Sequence, residues 1–251
     1  MKDTPLIPGF HAVREALAAG RIPLREVWMD DRRAGSRKEE ILGLAAEKGV
    51  PVRFRRSEEL EGLLPGLRHQ GVVAVAGDFA YTEMEALVRD SRHRRGDALL
   101  IAADHITDEG NLGALIRTAA FFGAQGLILP RDRSARITER VLKRSAGAFV
   151  YLPVARVVNL ARTLEILKRE GFWIVGAAGE GPETIYRFDW RRDVVLVLGR
   201  EDRGLSPVIR RSCHQLVAIP SPGSVQSLNV SVAGGIVMAE ILRQRGGAQG
   251  I

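Results

Sequence analysis

Three stretches of the chain combine glycine, small residues and isolated polar side chains, the composition of loops that hold a ligand beyond the end of a sheet. The first, "DEGNLGALIRTAAFFGA", sets Asn111 six residues ahead of Arg117. Asn111 can cap the helix that follows, and six helical residues turn about 600°, so Arg117 stands some 120° away from it. An arginine in an otherwise small and apolar helix calls for an anionic partner, either a substrate or a structural carboxylate such as Asp104 or Asp108. The second stretch, "LVLGREDRGLS", ends an apolar strand at Gly199 and runs into Glu201, Asp202 and Gly204. Its glycines permit close backbone approach or positive φ, and a carboxylate there can meet a cation or a hydroxyl donor. A plain turn into a short helix, with Ser206 as cap and Pro207 at the first position, accounts for its end. In the third, "IPSPGSVQSLNVSVAGG", Pro220, Pro222 and Gly223 impose an irregular backbone. Ser227 and Asn229 offer short hydrogen-bonding groups beside a helix start packed through Ala233, Gly234 and Gly235, where other backbone can come close.

Metal and standard nucleotide chemistry do not suit this set. Cys213 is the single cysteine, and His11, His69, His93, His105 and His214 are scattered without metal-ligand spacing, so no metal is expected. No G-x-G-x-x-G opens a helix after the first long strand, and no Walker lysine loop is present. "GAAGEGPE" has three glycines, but Pro182 and Glu183 follow in place of a helix, which reads as a glycine turn.

The elements that must carry these loops alternate along the chain. In the first part, helix "GFHAVREALAAG", strand "EVWM", helix "RKEEILGLAAEKG" and strand "PVRF" precede "SEELEGLL", with Ser57 as its N-cap, and strand "GVVAVAG". Residues 1–76 form a small α/β domain on this reading, 77–97 a linker with one amphipathic piece and a basic run, and 98–251 a larger domain. There, strands "ALLIAA", "GLILP", "FWIVGA", "VVLVLG" and "QLVAIP" alternate with helices at "LGALIRTAAFFG", "TERVLKRSAG", "LARTLEILKREG", "SPVIRRSC" and "SLNVSVAGGIVMAEILRQ". Near-continuous apolar strands separated by helices predict a mostly parallel sheet covered on both faces, with ligands at the carboxyl ends of its strands.

Charge narrows the partner. Lys and Arg number 37 against 30 Asp and Glu, a formal charge of +7, and arginine crowds the runs "DDRRAGSRK", "RFRR", "RDSRHRR" and "RDRSAR". Forked guanidinium groups suit phosphate oxygens and stack on bases, so RNA or DNA is the expected partner. The opening stretch lacks a signal-peptide apolar core, and no segment approaches the roughly 18 apolar residues of a membrane span. We therefore expect a soluble, cytoplasmic protein.

"NLGALIRTAAFFGA", "LVLGREDRGLS" and "IPSPGSVQSLNVSVAGGIVMAEILRQ", in this order, resemble the three motifs of the SpoU (TrmH) family of RNA ribose 2′-O-methyltransferases, over roughly the last 150 residues. "IPGFHAVREAL" and "RHQGVVAV" resemble the ribosomal-protein-like substrate-binding domain of a branch that methylates a guanosine ribose of large-subunit (23S) rRNA. The resemblance implies an α/β SPOUT fold with a C-terminal trefoil knot, a homodimer formed through the knotted domain, and S-adenosylmethionine as cofactor. It further implies that the backbone of Gly199, Ile219 and Leu228 contacts the cofactor, while Leu198, Pro220 and Gly223 shape its pocket. Asn111, Arg117, Glu201, Ser227 and Asn229 match the family's polar positions. Two departures, "DEGN" before the first motif and Ser221-Pro222 in the third, fall at loop edges and bear on local shape. A related enzyme acting on transfer RNA or on a base would share the cofactor pocket, and a non-catalytic RNA-binding factor could dispense with Asn111 or Arg117.

Overall fold

The computed structural model describes residues 5–246 apart from 33, 78, 94–96 and 226. In chain order its elements are β1 (Leu6–Pro8), α1 (Phe10–Ala19), β2 (Leu24–Asp30), α2 (Ser36–Glu47), β3 (Val52–Arg55), α3 (Ser57–Leu63), β4 (Val72–Ala76) and α4 (Met84–Arg92). There follow β5 (Leu99–Ala103), α5 (Glu109–Phe121), β6 (Gly126–Pro130), α6 (Glu139–Arg144), a 3-10 turn at Ala148–Val150, β7 (Val154–Val157) and α7 (Leu160–Arg169). The chain continues through β8 (Trp173–Ala177), β9 (Glu183–Thr184), β10 (Val194–Leu198), α8 (Pro207–Arg211), β11 (Gln215–Ala218) and α9 (Val230–Gln244).

The chain divides into two compact units, residues 1–80 with 136–151 and residues 81–135 with 152–251. The first holds a four-stranded sheet ordered β1-β4-β2-β3, in which the fully buried "VVAVA" of β4 pairs antiparallel with both neighbours. The periodic apolar face of α1, Phe10, Ala12, Val13, Ala16 and Leu17, is buried. Residues 136–151, which the alternation assigns to the larger domain, pack within this first unit instead. Tyr151 donates its hydroxyl to Glu15 at 2.6 Å, and Phe149 and Val150 are buried. Ser57 begins α3 without capping it; Arg56 occupies the N-cap position and no side chain bonds there.

The second unit is built on a seven-stranded sheet ordered β7-β6-β5-β10-β8-β11-β9, every pair parallel. β5, β6 and β10 are buried along their whole length, as expected of parallel strands covered on both faces. One cover is α7, whose Asn159 cap accepts the Arg162 N–H and whose Leu160, Leu164 and Leu167 face the core, each contributing roughly 1.5–3 kcal/mol by burial. Among the described residues no helix is long and apolar enough to cross a membrane.

Candidate active site at the carboxyl ends of the strands

All three motif loops leave the carboxyl ends of strands in the second unit: residues 104–108 after β5, 199–206 after β10 and 219–229 after β11. The first two are tied together at the base. The Asp104 N–H donates to the Leu198 carbonyl at 2.8 Å, and the buried Asp104 carboxylate accepts the Ser206 N–H at 2.6 Å. Ser206 thus stands at the cap position of α8 but serves through its main chain, and its own side chain makes no capping bond. At α5 the cap is Asp108, which accepts the Asn111 N–H at 2.7 Å. Asn111 therefore lies inside the first turn rather than capping it, and its side-chain oxygen is left for a tertiary partner.

That partner is Asn229. Its Nδ2 donates to Asn111 Oδ1 at 2.8 Å and to Glu201 Oε1 at 2.5 Å, using both amide protons. Its Oδ1 accepts from the Ser231 N–H at 3.0 Å and the Ser231 hydroxyl at 2.6 Å, which makes Asn229 the N-cap of α9. Glu201 Oε1 also accepts the Val230 N–H at 3.1 Å. The carboxylate therefore meets amide donors, while its neighbour Asp202 takes the cation, a bidentate pair with Arg200 at 2.8 and 2.7 Å. α9 begins at Val230, so Ser227 and Leu228 belong to the loop and not to the helix. Ser227 is exposed, and Gln226 lies outside the described residues.

Arg117 is exposed on α5. Among the described residues it forms no ion pair, and both carboxylates weighed for it are otherwise engaged, Asp104 with Ser206 and His105, Asp108 with Asn111. The structural salt bridge is thus not formed, and the guanidinium is free for an outside anion.

Leu198 is buried at 1% exposure, while Ile219 is half-buried and Pro220, Gly223 and Leu228 are exposed. Among the described residues no backbone hydrogen bond holds the main chain of 219–228. The same segment carries the apolar side chains of Val225, 75% exposed, and Leu228, 45% exposed. At Gly199 a Cβ would stand 2.3 Å from the Gly204 carbonyl carbon, so only glycine lets the turn fold back through the paired Arg200 and Gly204 bonds at 3.0 and 2.8 Å. The small residues of α9 serve a different contact from the one expected. A Cβ at Gly234 would meet the side chains of Leu198 at 2.9 Å and Leu115 at 3.3 Å, so they admit α5 and β10 side chains rather than threaded backbone. In the "GAAGEGPE" stretch Gly181 N–H closes a turn on Ala178 at 3.0 Å, in keeping with its reading as a turn.

Sequence reasoning missed the residues behind this arrangement. Asp104 ties two loops, and Arg133, Arg200, Arg203 and His105 line a cavity of about 520 Å³ next to them. The larger cavity, about 820 Å³ and lined from α4 and α7, shares no residue with the Asn111, Glu201 and Asn229 cluster. The run "RDRSAR" was the signal for Arg133, and as a charge run it does not say which arginine faces a cavity; Arg200 and Arg203 lie within "LVLGREDRGLS", where the carboxylates and glycines drew the reading.

Comparison with known proteins supplies the family context. The SpoU rRNA Methylase family profile matches residues 98–239, and the RNA 2′-O ribose methyltransferase substrate binding profile matches residues 6–82. The 23S rRNA (guanosine-2′-O-)-methyltransferase RlmB of Pseudomonas aeruginosa is 40% identical over 98% of each chain. Its counterpart in Xanthomonas campestris is 40% identical over 98% of this chain and 99% of its own. Among solved structures, the SpoU methyltransferase AviRb from Streptomyces viridochromogenes in complex with AdoMet is 26% identical and superposes with a TM-score of 0.79, covering 96% of this chain and 90% of its own.

Proposed function

Given that the chain belongs to the SpoU rRNA Methylase family, we propose that it transfers the methyl group of S-adenosylmethionine to the ribose 2′-hydroxyl of a guanosine in 23S rRNA. One observation carries the reading: Asn111, Glu201 and Asn229, one polar residue from each motif, converge in a single hydrogen-bonded cluster. Full-length relatives named for 23S guanosine methylation support the substrate, and the separate substrate-binding profile supports the first unit as the RNA reader.

The residues present fit the cofactor. Main-chain groups of Ile219 and Leu228 that no backbone hydrogen bond engages among the described residues, together with the tight Gly199 turn and exposed apolar side chains, suit a ligand with a polar tail and a flat aromatic base. Leu198, Pro220 and Gly223 then border the pocket. When bound, S-adenosylmethionine supplies a methyl carbon that already carries a good leaving group. The protein must align a ribose hydroxyl for in-line attack and manage its proton. The Asn111, Glu201 and Asn229 cluster holds the three loops in register, and Ser227 contributes a hydroxyl on the loop that joins them. Arg117 clamps the target phosphate and stabilises the alkoxide charge that develops, and the proton leaves to phosphate, water or a nearby polar group. A guanidinium is a poor proton acceptor, which disfavours Arg117 as the base. The chemistry needs no metal, and among the described residues no group of three His, Cys, Asp or Glu converges on a common point.

Two architectural features complete the reading. A trefoil knot is supported by the strand order: β10 inserts between β5 and β8, and β11 between β8 and β9, so the late strands enter the interior of the sheet. A homodimer is supported by apolar side chains left outside on the paired helices α5 and α9, with Phe121 at 82% exposure and Val232 and Leu242 also exposed. A ribosomal RNA substrate supports a cytoplasmic location.

The deciding experiment incubates the protein with methyl-tritiated cofactor and unmodified ribosomal and transfer RNA, then maps the label. One 23S guanosine whose 3′ linkage resists alkaline hydrolysis is expected. Label on a base, or only in transfer RNA, would overturn the reading.

A further inference from the structure

Two of the three motif loops, those after β5 and β10, also line the 520 Å³ cavity, joined by Arg133 from the segment after β6. Its lining includes Arg133, Arg200, Arg203 and His105, with Thr107 and the main chain of Gly204 between them. Three guanidinium groups stand against two carboxylates, and both carboxylates are engaged. Asp104, 1% exposed, is bonded by Ser206 N–H and by His105 Nδ1 at 2.5 Å, and Asp202 is shared by Arg200 and, at 3.6 Å, Arg203. Arg133 forms no ion pair among the described residues. The cavity thus presents unbalanced positive charge.

Its walls are fixed in place. The Ala135 N–H donates to the Ile106 carbonyl at 2.8 Å, which ties the Arg133 loop to the loop after β5, and the Ser206 bond to Asp104 ties in the loop after β10. His105 at φ +60° and Arg133 at φ +54° both hold left-handed backbone, a conformation unfavourable for a residue that carries a side chain. Two such residues line this one cavity. The turn from Arg200 to Gly204 carries Glu201 to the cluster and Arg200 and Arg203 to the cavity, so the two sites are a residue apart along the chain.

We propose that this cavity is a subsite for a backbone phosphate of the RNA substrate, on a nucleotide adjoining the one that is methylated. The inference rests on the reading of the protein as an RNA methyltransferase, and goes beyond it by assigning Arg133 and Arg203 to substrate recognition rather than to chemistry.

The test uses the full-length protein and its variants Arg133→Gln, Arg203→Gln and the pair. Affinity for a 23S rRNA transcript is measured across salt concentrations, with cofactor affinity and melting temperature as controls. Each single variant is expected to bind RNA about 5- to 20-fold more weakly, and to lower the salt slope by about 0.7–0.9 for the phosphate contact it loses. Cofactor affinity and melting temperature should stay at wild-type values. A second arm replaces single phosphates around the target guanosine by neutral methylphosphonates. One position should weaken wild type and leave the double variant unaffected. Wild-type affinity and slope in both variants, or equal phosphonate penalties in wild type and the double variant, would overturn the subsite. The binding arm is independent of catalysis: if wild type methylates no RNA yet the variants lose salt-dependent binding, the subsite stands and the methyltransferase reading falls.

Discussion

The side-chain amide of Asn229 donates to the side-chain oxygen of Asn111 at 2.8 Å, across 118 residues of chain. With Glu201 as its second acceptor and Ser231 as its donor, the Asn229 side chain has no hydrogen-bonding capacity left for a substrate. Its role is to position the loops, which sets what its replacement should do.

Asn229→Ala removes a helix cap and the joint between three loops, so about 1 kcal/mol of stability should be lost together with most turnover. Asn111→Ala leaves the Glu201 bond standing and should cost less. The double variant should resemble Asn229→Ala alone, because the two side chains share one interaction. Asn229→Asp is more telling, since it sets a second carboxylate against Glu201 where an amide donated at 2.5 Å. It should be the less active of the two Asn229 variants at neutral pH and regain activity as pH falls. Denaturant melts and single-turnover assays on the four proteins check this, and simple additivity would refute the shared joint.

A second prediction concerns Arg245, at the end of α9. Its guanidinium donates to the carbonyls of Trp190 at 2.9 Å, Asp97 at 2.7 Å, Ala98 at 3.3 Å and Arg192 at 2.5 Å, and burial pulls its pKa down. Arg245→Ala strips this donor from all four carbonyls, of which Trp190 and Ala98 keep the Arg192 and Val194 N–H groups, and should cost on the order of 2 to 3 kcal/mol. Arg245→Lys should recover little, because an ammonium has three donors and no planar fork. Urea melts with unchanged slope and a lowered midpoint are the expected result.

How far the sequence carries can be judged from individual elements. β5, β6 and β10 were legible because strands buried on both faces are continuous apolar runs. β7 was not, since Arg156 interrupts "VARV"; at the sheet edge its guanidinium lies over Tyr81 and bonds the Arg131 carbonyl. β1 is three residues, Leu6–Pro8, directly after Pro5, too short to show a period. The motif loops were legible as loops, and their resemblance named the family. Their convergence was not legible, because nothing local in Asn111, Glu201 or Asn229 encodes a contact made by distant strands. Tertiary packing also decided the place of residues 136–151: Phe149 and Val150 are buried in the first unit, so deleting residues 1–76 would uncover them.

The third prediction is a pH effect at His214. Its Nδ1 accepts the Ile174 N–H at 2.9 Å while its main-chain N–H donates to the Ile174 carbonyl at 2.8 Å. Burial and then the nearby Lys168 push its pKa below the ordinary 6.5, with Glu165 opposing. Protonation abolishes the acceptor. Between the folded value and 6.5 the unfolded chain binds more protons, so stability rises with pH through that window and is fully present above it. The melting temperature of wild type should therefore fall more steeply between pH 7 and pH 5 than that of His214→Gln, which can still accept the bond but does not titrate. Parallel curves for the two proteins would remove His214 as the cause.

The last prediction separates two roles for Arg117. It is exposed and unpaired among the described residues, on a helix whose start is locked to Glu201 and α9 through Asn111 and Asn229. As a clamp that stabilises charge in the transition state, Arg117→Ala should lose about 3 to 5 kcal/mol in turnover, several powers of ten, with cofactor affinity nearly intact. Arg117→Lys should recover part of the rate, because a point charge remains although the fork is gone. A base predicts a different pattern. The lysine variant would gain rate as pH rises through the titration of its own amine, with no matching step in wild type or in Arg117→Ala. Single-turnover methylation at saturating RNA, followed across pH for all three proteins, distinguishes them. A flat ratio of lysine variant to wild type is expected for the clamp, and a step found only in the lysine variant would establish proton abstraction at this position.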